Sequence, residues 1–145
     1  DGTLAITGTG VINETRPWAD YVEDIKVVYM DQTVRTASMA LWFEDCVNLT
    51  MLTGTWNLEK TTDLGGMFKG CTSLTGMNLS TWDTSNVEHM DGMFLGCENL
   101  TALELSSWSA EKLDAETGTS AMFQGCDKLG LIVLGSDWSF VRLMR

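Results

Sequence analysis

Residues Met67–Met90 read MFKGCTSLTGMNLSTWDTSNVEHM, and the parts of this stretch return along the chain at a near-constant interval. Its cysteine is one of four, Cys46, Cys71, Cys97 and Cys126, spaced by 25, 26 and 29 residues. Three residues before each cysteine stands a phenylalanine: Phe43, Phe68, Phe94 and Phe123. Three residues after each stands a leucine: Leu49, Leu74, Leu100 and Leu129. Ten to twelve residues after each stands a tryptophan: Trp56, Trp82, Trp108 and Trp138. All four Cys, four of the five Phe and four of the six Trp obey one period, so the repeat decides the fold. A period in the twenties with leucine at fixed offsets marks a solenoid, whose coils bury their apolar flanks only against one another.

One unit runs from Met67 to Gly92 and the next from Met93 to Ala121, with three extra residues near Glu116–Thr119. A further unit starts at Met122 as MFQGCDKLGLIVLGSDW, and an earlier one at Trp42 as WFEDCVNLTMLTGTW. Ile25–Met30 followed by Val34 reads as a degenerate first coil. The expected organisation is an N-terminal cap over 1–24, about four and a half repeats over 25–138, and a C-terminal tail or cap over 139–145.

Each unit carries an L-x-x-φ-x-φ template, where φ is apolar: Leu74, Met77, Leu79; Leu100, Leu103, Leu105; Leu129, Ile132, Leu134. The alternating last two positions predict a strand, and stacked coils align such strands into a parallel sheet about 4.8 Å apart. All nine side chains are expected to be buried, with Phe68, Phe94 and Phe123 in a second column behind them. Val87, Met90, Met93 and Phe94 recur at three and four residues, which predicts one or two helical turns behind the sheet. Ser85-x-x-Glu88 fits a capping box for them. The expected fold class is therefore α/β: a leucine-rich-repeat solenoid with a parallel sheet on one face and short helical turns behind it. At the N-terminus, Leu4, Ile6, Val11 and Ile12 flank Gly8-Thr9-Gly10 and predict a short hairpin. Trp18, Tyr21, Val22 and Ile25 follow a helical stripe that Pro17 would open and Thr15 would cap. Phe140, Val141, Leu143 and Met144 are apolar enough to fold over the last coil.

Composition narrows the chemistry. Nine Lys and Arg against 20 Asp and Glu give 145 residues a net charge of −11. That balance argues against nucleic acid and anionic lipid, which need clustered cations. No apolar run approaches the ~20 residues of a transmembrane span. The first residue is Asp1 and not Met, so the chain reads as a trimmed or processed fragment, with any signal or anchor outside it. One His, beside Glu88 and two residues before Asp91, leaves little for acid–base catalysis. Ser80, Ser85 and Ser106 lie at repeat positions where structure explains them. No nucleophile elbow, zinc-protease motif or phosphate loop occurs, so neither catalytic residues nor a cofactor are expected. The four cysteines permit disulfides, but parallel side chains one strand apart exceed the ~3.8 Å a disulfide needs between Cβ atoms. A column of free, buried thiols is expected instead. Their spacing with a single His matches no zinc pattern.

The motif M-F-x-G-C-x-x-L-x-x-φ-x-L-S-x-W-D-T-S-N-V-x-x-M in Met67–Met90 resembles the 26-residue repeat of BspA-like leucine-rich-repeat surface proteins of bacteria. Asp1–Gly10, DGTLAITGTG, is similar to the lead-in of such proteins. Two units depart from the motif: one carries Ser109-Ala-Glu-Lys-Leu113 in place of D-T-S-N-V, and another lacks a residue before Trp56. The resemblance implies a secreted or cell-surface protein with adhesive, host-contact roles. It places no ligand-binding residue.

Positions alternating with the inward φ residues point outward and are the candidate binding face. They are Met51 and Thr53; Gly76, Asn78 and Ser80; Ala102, Glu104 and Ser106; and Leu131, Val133 and Gly135. Of these, Thr53, Asn78, Ser80, Glu104, Ser106, Leu131 and Val133 form the expected contact site for a host or matrix protein. A structural spacer in a larger surface protein is the rival reading. A glycan-binding surface would instead need exposed tryptophans, whereas periodic aromatics are usually core.

Overall fold

The computed structural model describes residues 1–8 and 16–138. Among these residues six short strands follow in chain order: β1 (Thr3–Ile6), β2 (Val27–Met30), β3 (Met51–Gly54), β4 (Gly76–Asn78), β5 (Ala102–Leu105) and β6 (Leu131–Leu134). Every strand pairing is parallel and joins consecutive coils: Val28 lies beside Leu52, Met77 beside Leu103, and Leu103 beside Ile132. The strands form two sheets, β1-β2-β3 and β4-β5-β6, with no ladder between β3 and β4.

The expected parallel stacking is present, but the α/β class is overturned. The chain is a β-solenoid, and the only helical element among the described residues is a single 3-10 turn, Ala19–Tyr21. The backbone hydrogen bonds explain why helical spacing produced no helix. Behind β4, the N–H groups of Leu64, Gly66, Phe68 and Gly70 donate to His89, Asp91, Met93 and Leu95 of the next coil. The intervening Met67, Lys69 and Cys71 donate three residues back, to Leu64, Gly66 and Phe68. The same alternation recurs over 39–46 and 90–97. Each back segment is thus a run of tandem turns whose every second amide is committed to a neighbouring coil. An α-helix would need all of those amides within the segment.

The turns that close on each cysteine call for positive φ at their third residue. Gly70, Gly96 and Gly125 hold it at 75–76°, stacked one above another. Asp45 adopts φ 60° at the equivalent place. The three- and four-residue apolar spacing arises because these turns bury Met90, Met93, Phe94 and Cys97, the same offsets that a helix face would bury.

The core runs as columns along the array. Phe43, Phe68, Phe94 and Phe123 stack with centroids 5.8, 5.6 and 6.0 Å apart. Trp18 lies at 6.0 Å from Phe43 and heads the column. The helix expected from Trp18 onward is replaced by the 3-10 turn that sets this ring in the phenylalanine position. Likewise, Thr3–Ile6 pairs in parallel with β2 and is a rung of the sheet, while the second arm of the expected hairpin falls on undescribed residues. Val11, Ile12, Thr15 and the 139–145 tail lie outside the described residues.

Leu74, Leu79, Leu100, Leu103, Leu105, Phe68 and Phe94 are fully buried, each contributing about 1.5–3 kcal/mol by leaving water. Met77, Leu129, Ile132, Leu134 and Phe123 are only half-buried, against expectation. The last four line the final described coil, and Met77 lies where the two sheets part.

The four cysteines are free. The thiols of Cys71, Cys97 and Cys126 donate to the carbonyls of Phe43, Phe68 and Phe94 one coil back, at 3.0, 3.1 and 3.1 Å. Burial pushes the Cys97 thiol from 9.0 up to about 12 and that of Cys46 to about 11, and raises Cys71 further. A raised folded-state value means that the native chain holds protons the unfolded chain releases. Stability is therefore complete below about pH 9 and is lost as pH climbs towards 12. The urea midpoint should fall above pH 9 in the wild type and fall less steeply in Cys97→Ala. Identical pH profiles would contradict the buried-thiol column.

Candidate binding face

The strand face carries two outward rows. Thr3, Val27 and Met51 are in register in the first sheet, and Gly76, Ala102 and Leu131 in the second. The other row holds Ala5, Tyr29 and Thr53, then Asn78, Glu104 and Val133. Of the expected contact residues, Asn78, Glu104 and Val133 therefore stand side by side on adjacent strands, with Leu131 next to them. Thr53 is on the other sheet, across the break, and is half-buried with its hydroxyl 3.3 Å from Val28 O.

Several polar candidates are engaged locally. The Asn78 side-chain oxygen accepts from Ser80 N at 3.0 Å and Ser80 Oγ at 2.6 Å. Glu104 Oε1 accepts from Ser106 N at 2.9 Å. These contacts close the turns at the strand ends, so Asn78, Ser80, Glu104 and Ser106 hold the backbone as well as facing solvent.

The apolar members are what stand out. Leu131 is 58% exposed, Met51 54% and Val133 37%. Tyr29, which the sequence reading passed over, is also an exposed large side chain on this face. Its signal was available: the alternation Val27-x-Tyr29 in the degenerate first coil matches Met51-x-Thr53 one coil later.

The tryptophans are mostly structural. Trp82 and Trp108 are buried and stack on each other at 6.0 Å, while Trp56 and Trp138 are half-buried. Trp56 lines a groove of about 520 Å³ with Gln32, Arg35, Asn57, Asp83 and Asn86. A hydrogen bond from the Ser85 hydroxyl, with a second from its amide, holds the Asp83 carboxyl below its ordinary range. Among the described residues, no group of three or more His, Cys, Asp or Glu could hold a metal ion. No described helix is long and apolar enough to cross a membrane.

Neither a curated protein nor a solved structure matches the chain. A family model described as "Mycoplasma protein of unknown function, DUF285" matches residues 29–143, the span that carries the repeats. The BspA-like resemblance has no family match of its own beside it. With most of its length matched, this repeat solenoid belongs to the DUF285 family.

Proposed function

We propose that this chain is a non-enzymatic repeat module, displayed at a bacterial surface or secreted, that contacts a host or matrix protein through its strand face. One observation carries the reading: Leu131 and Val133 hold apolar side chains in water on an ordered strand, with Asn78 and Glu104 beside them. Contiguous apolar side chains left in water on an ordered face often mark a contact site. The resemblance of Met67–Met90 to surface-protein repeats supports display outside the cell.

The test is adhesion of the displayed protein to host matrix. Leu131→Asp combined with Val133→Ser should lower adhesion at least about tenfold, equivalent to about 1.4 kcal/mol, without shifting the melting temperature. Unchanged adhesion in the folded variant would retire the strand-face site and favour a spacer that only holds another domain at a distance. The Trp56 groove favours a second reading, glycan contact, in which free sugar would compete with adhesion and Trp56→Ala would abolish it.

A further inference from the structure

The sheet is interrupted at one place, between β3 and β4, although the same two coils remain joined behind it. At the back, Phe43 N–H donates to Met67 O at 2.9 Å, Asp45 N–H donates to Lys69 O at 2.8 Å, and the Phe43 and Phe68 rings stack. At the front, β3 pairs only with β2 and β4 only with β5. A groove of about 320 Å³ opens there, lined by Thr50–Leu52 and Gly76–Leu79.

The sequence accounts for the opening. The segment from Cys46 to Trp56 is one residue shorter than that from Cys71 to Trp82. Its third inward position is Gly54, where the following coils place Leu79, Leu105 and Leu134. Gly54 sits at φ +83°, and a side chain there would run into the Met30 backbone. The chain therefore turns early and offers nothing to pack under β4. The consequence is visible in burial: Val28 and Leu103 are sealed, whereas Leu52 and Met77, at the same inward position on either side of the opening, are half-buried.

We propose that this groove takes up an extended, uncharged segment of another polypeptide as an added strand between β3 and β4. Thr55 N–H donates to Met30 O on the β2 side, and Leu79 N–H donates to Glu104 O on the β5 side. Alternation along each strand then turns the peptide groups of Leu52, Gly54, Gly76 and Asn78 into the groove. Both walls thus present unpaired strand edges, the usual template for strand addition. An extended backbone carries donors and acceptors along both of its edges. To meet both walls at once it must spread β3 and β4 to about 9.5 Å, twice the strand spacing, between coils whose Trp56 and Trp82 rings stack at 5.2 Å just beyond the strands. About four residues at ~3.3 Å each cover the length of β3. An inward apolar side chain would cover Leu52 and Met77. No ionised side chain lines the groove, which sets it apart from the acidic surface of a chain of net charge −11.

This site deepens the protein-contact reading but stands without Leu131 and Val133. The probe is the capped peptide Thr50–Thr55, TMLTGT, titrated into the whole chain while amide hydrogen exchange is followed by NMR. Exchange at Leu52, Gly54, Gly76 and Asn78 should slow saturably, at least about tenfold, with no change across Leu131–Leu134. Gly76→Pro removes one groove-facing N–H and should weaken binding at least about tenfold. Should that variant fold poorly, the same peptide N-methylated at alternate amides tests the wild-type chain and should not bind. The Leu131→Asp, Val133→Ser variant should bind the peptide normally, so loss of adhesion there leaves this site standing. Absence of saturable binding up to about 1 mM, or equal binding of the N-methylated peptide, would overturn the proposal. Self-association that the peptide disperses would overturn it too, because the occupant would then be a second copy of this chain.

Discussion

Phe94→Ala should cost about 3–5 kcal/mol of folding stability, the usual range for an aromatic side chain lost from a packed core. Phe94 is fully buried and sits between Phe68 at 5.6 Å and Phe123 at 6.0 Å, so its removal opens a cavity with rings on both sides. In a solenoid each coil is stabilised by its neighbours, and an interior rung touches two interfaces at once. Set against a typical total of about 5–15 kcal/mol, the loss would bring the array close to unfolding. Phe123→Ala is the internal comparison. That ring is half-buried in the final described coil and should cost distinctly less. Urea denaturation of both variants decides the matter, and equal losses would contradict the column.

Trp108→Ala should be comparably damaging, at about 3–5 kcal/mol. Its ring is buried, lies parallel to Trp82, and donates Nε1–H to Leu79 O at 3.0 Å. Trp108→Phe separates the two contributions. It keeps a ring in the stack and gives up the hydrogen bond, so it should cost about 1 kcal/mol for that bond plus a packing loss well below that of alanine. Urea midpoints of the two variants report the difference. If Trp108→Ala left stability unchanged, the ring would be a surface feature.

The repeat, its spacing and its parallel stacking were legible because they rest on identities: the same residue types return at the same offsets, and only stacked coils use them all. The backs of the coils were not. Met90, Met93 and Phe94 are spaced as on a helix, yet Met90, Gly92 and Phe94 donate to Gly118, Ser120 and Met122 in the next coil. Apolar period reports which side chains face inward, and tandem turns satisfy it as well as a helix does. Glycine was the neglected signal. Gly66 and Gly92 fall inside the segments read as helical, where glycine is a poor helix former.

The binding face was legible in part. Alternation placed Asn78, Glu104, Leu131 and Val133 outward, where they are found on adjacent strands. Alternation does not say which polar groups are engaged, and Asn78 and Glu104 proved to hold the following turns. Nor did it foresee that the missing residue before Trp56, together with Gly54, would part the sheet and expose Leu52 and Met77.

The central structural claim is that the backs of the coils are bonded to each other and are not helices. Scalar couplings across hydrogen bonds, measured by NMR on the labelled chain, test it most directly. The expected couplings connect Phe43 N to the Met67 carbonyl, Phe68 N to Met93 and Phe94 N to Met122. Couplings from Phe68 to Leu64 and from Phe94 to Met90, four residues back in each case, would mean helical turns behind the sheet and would contradict it.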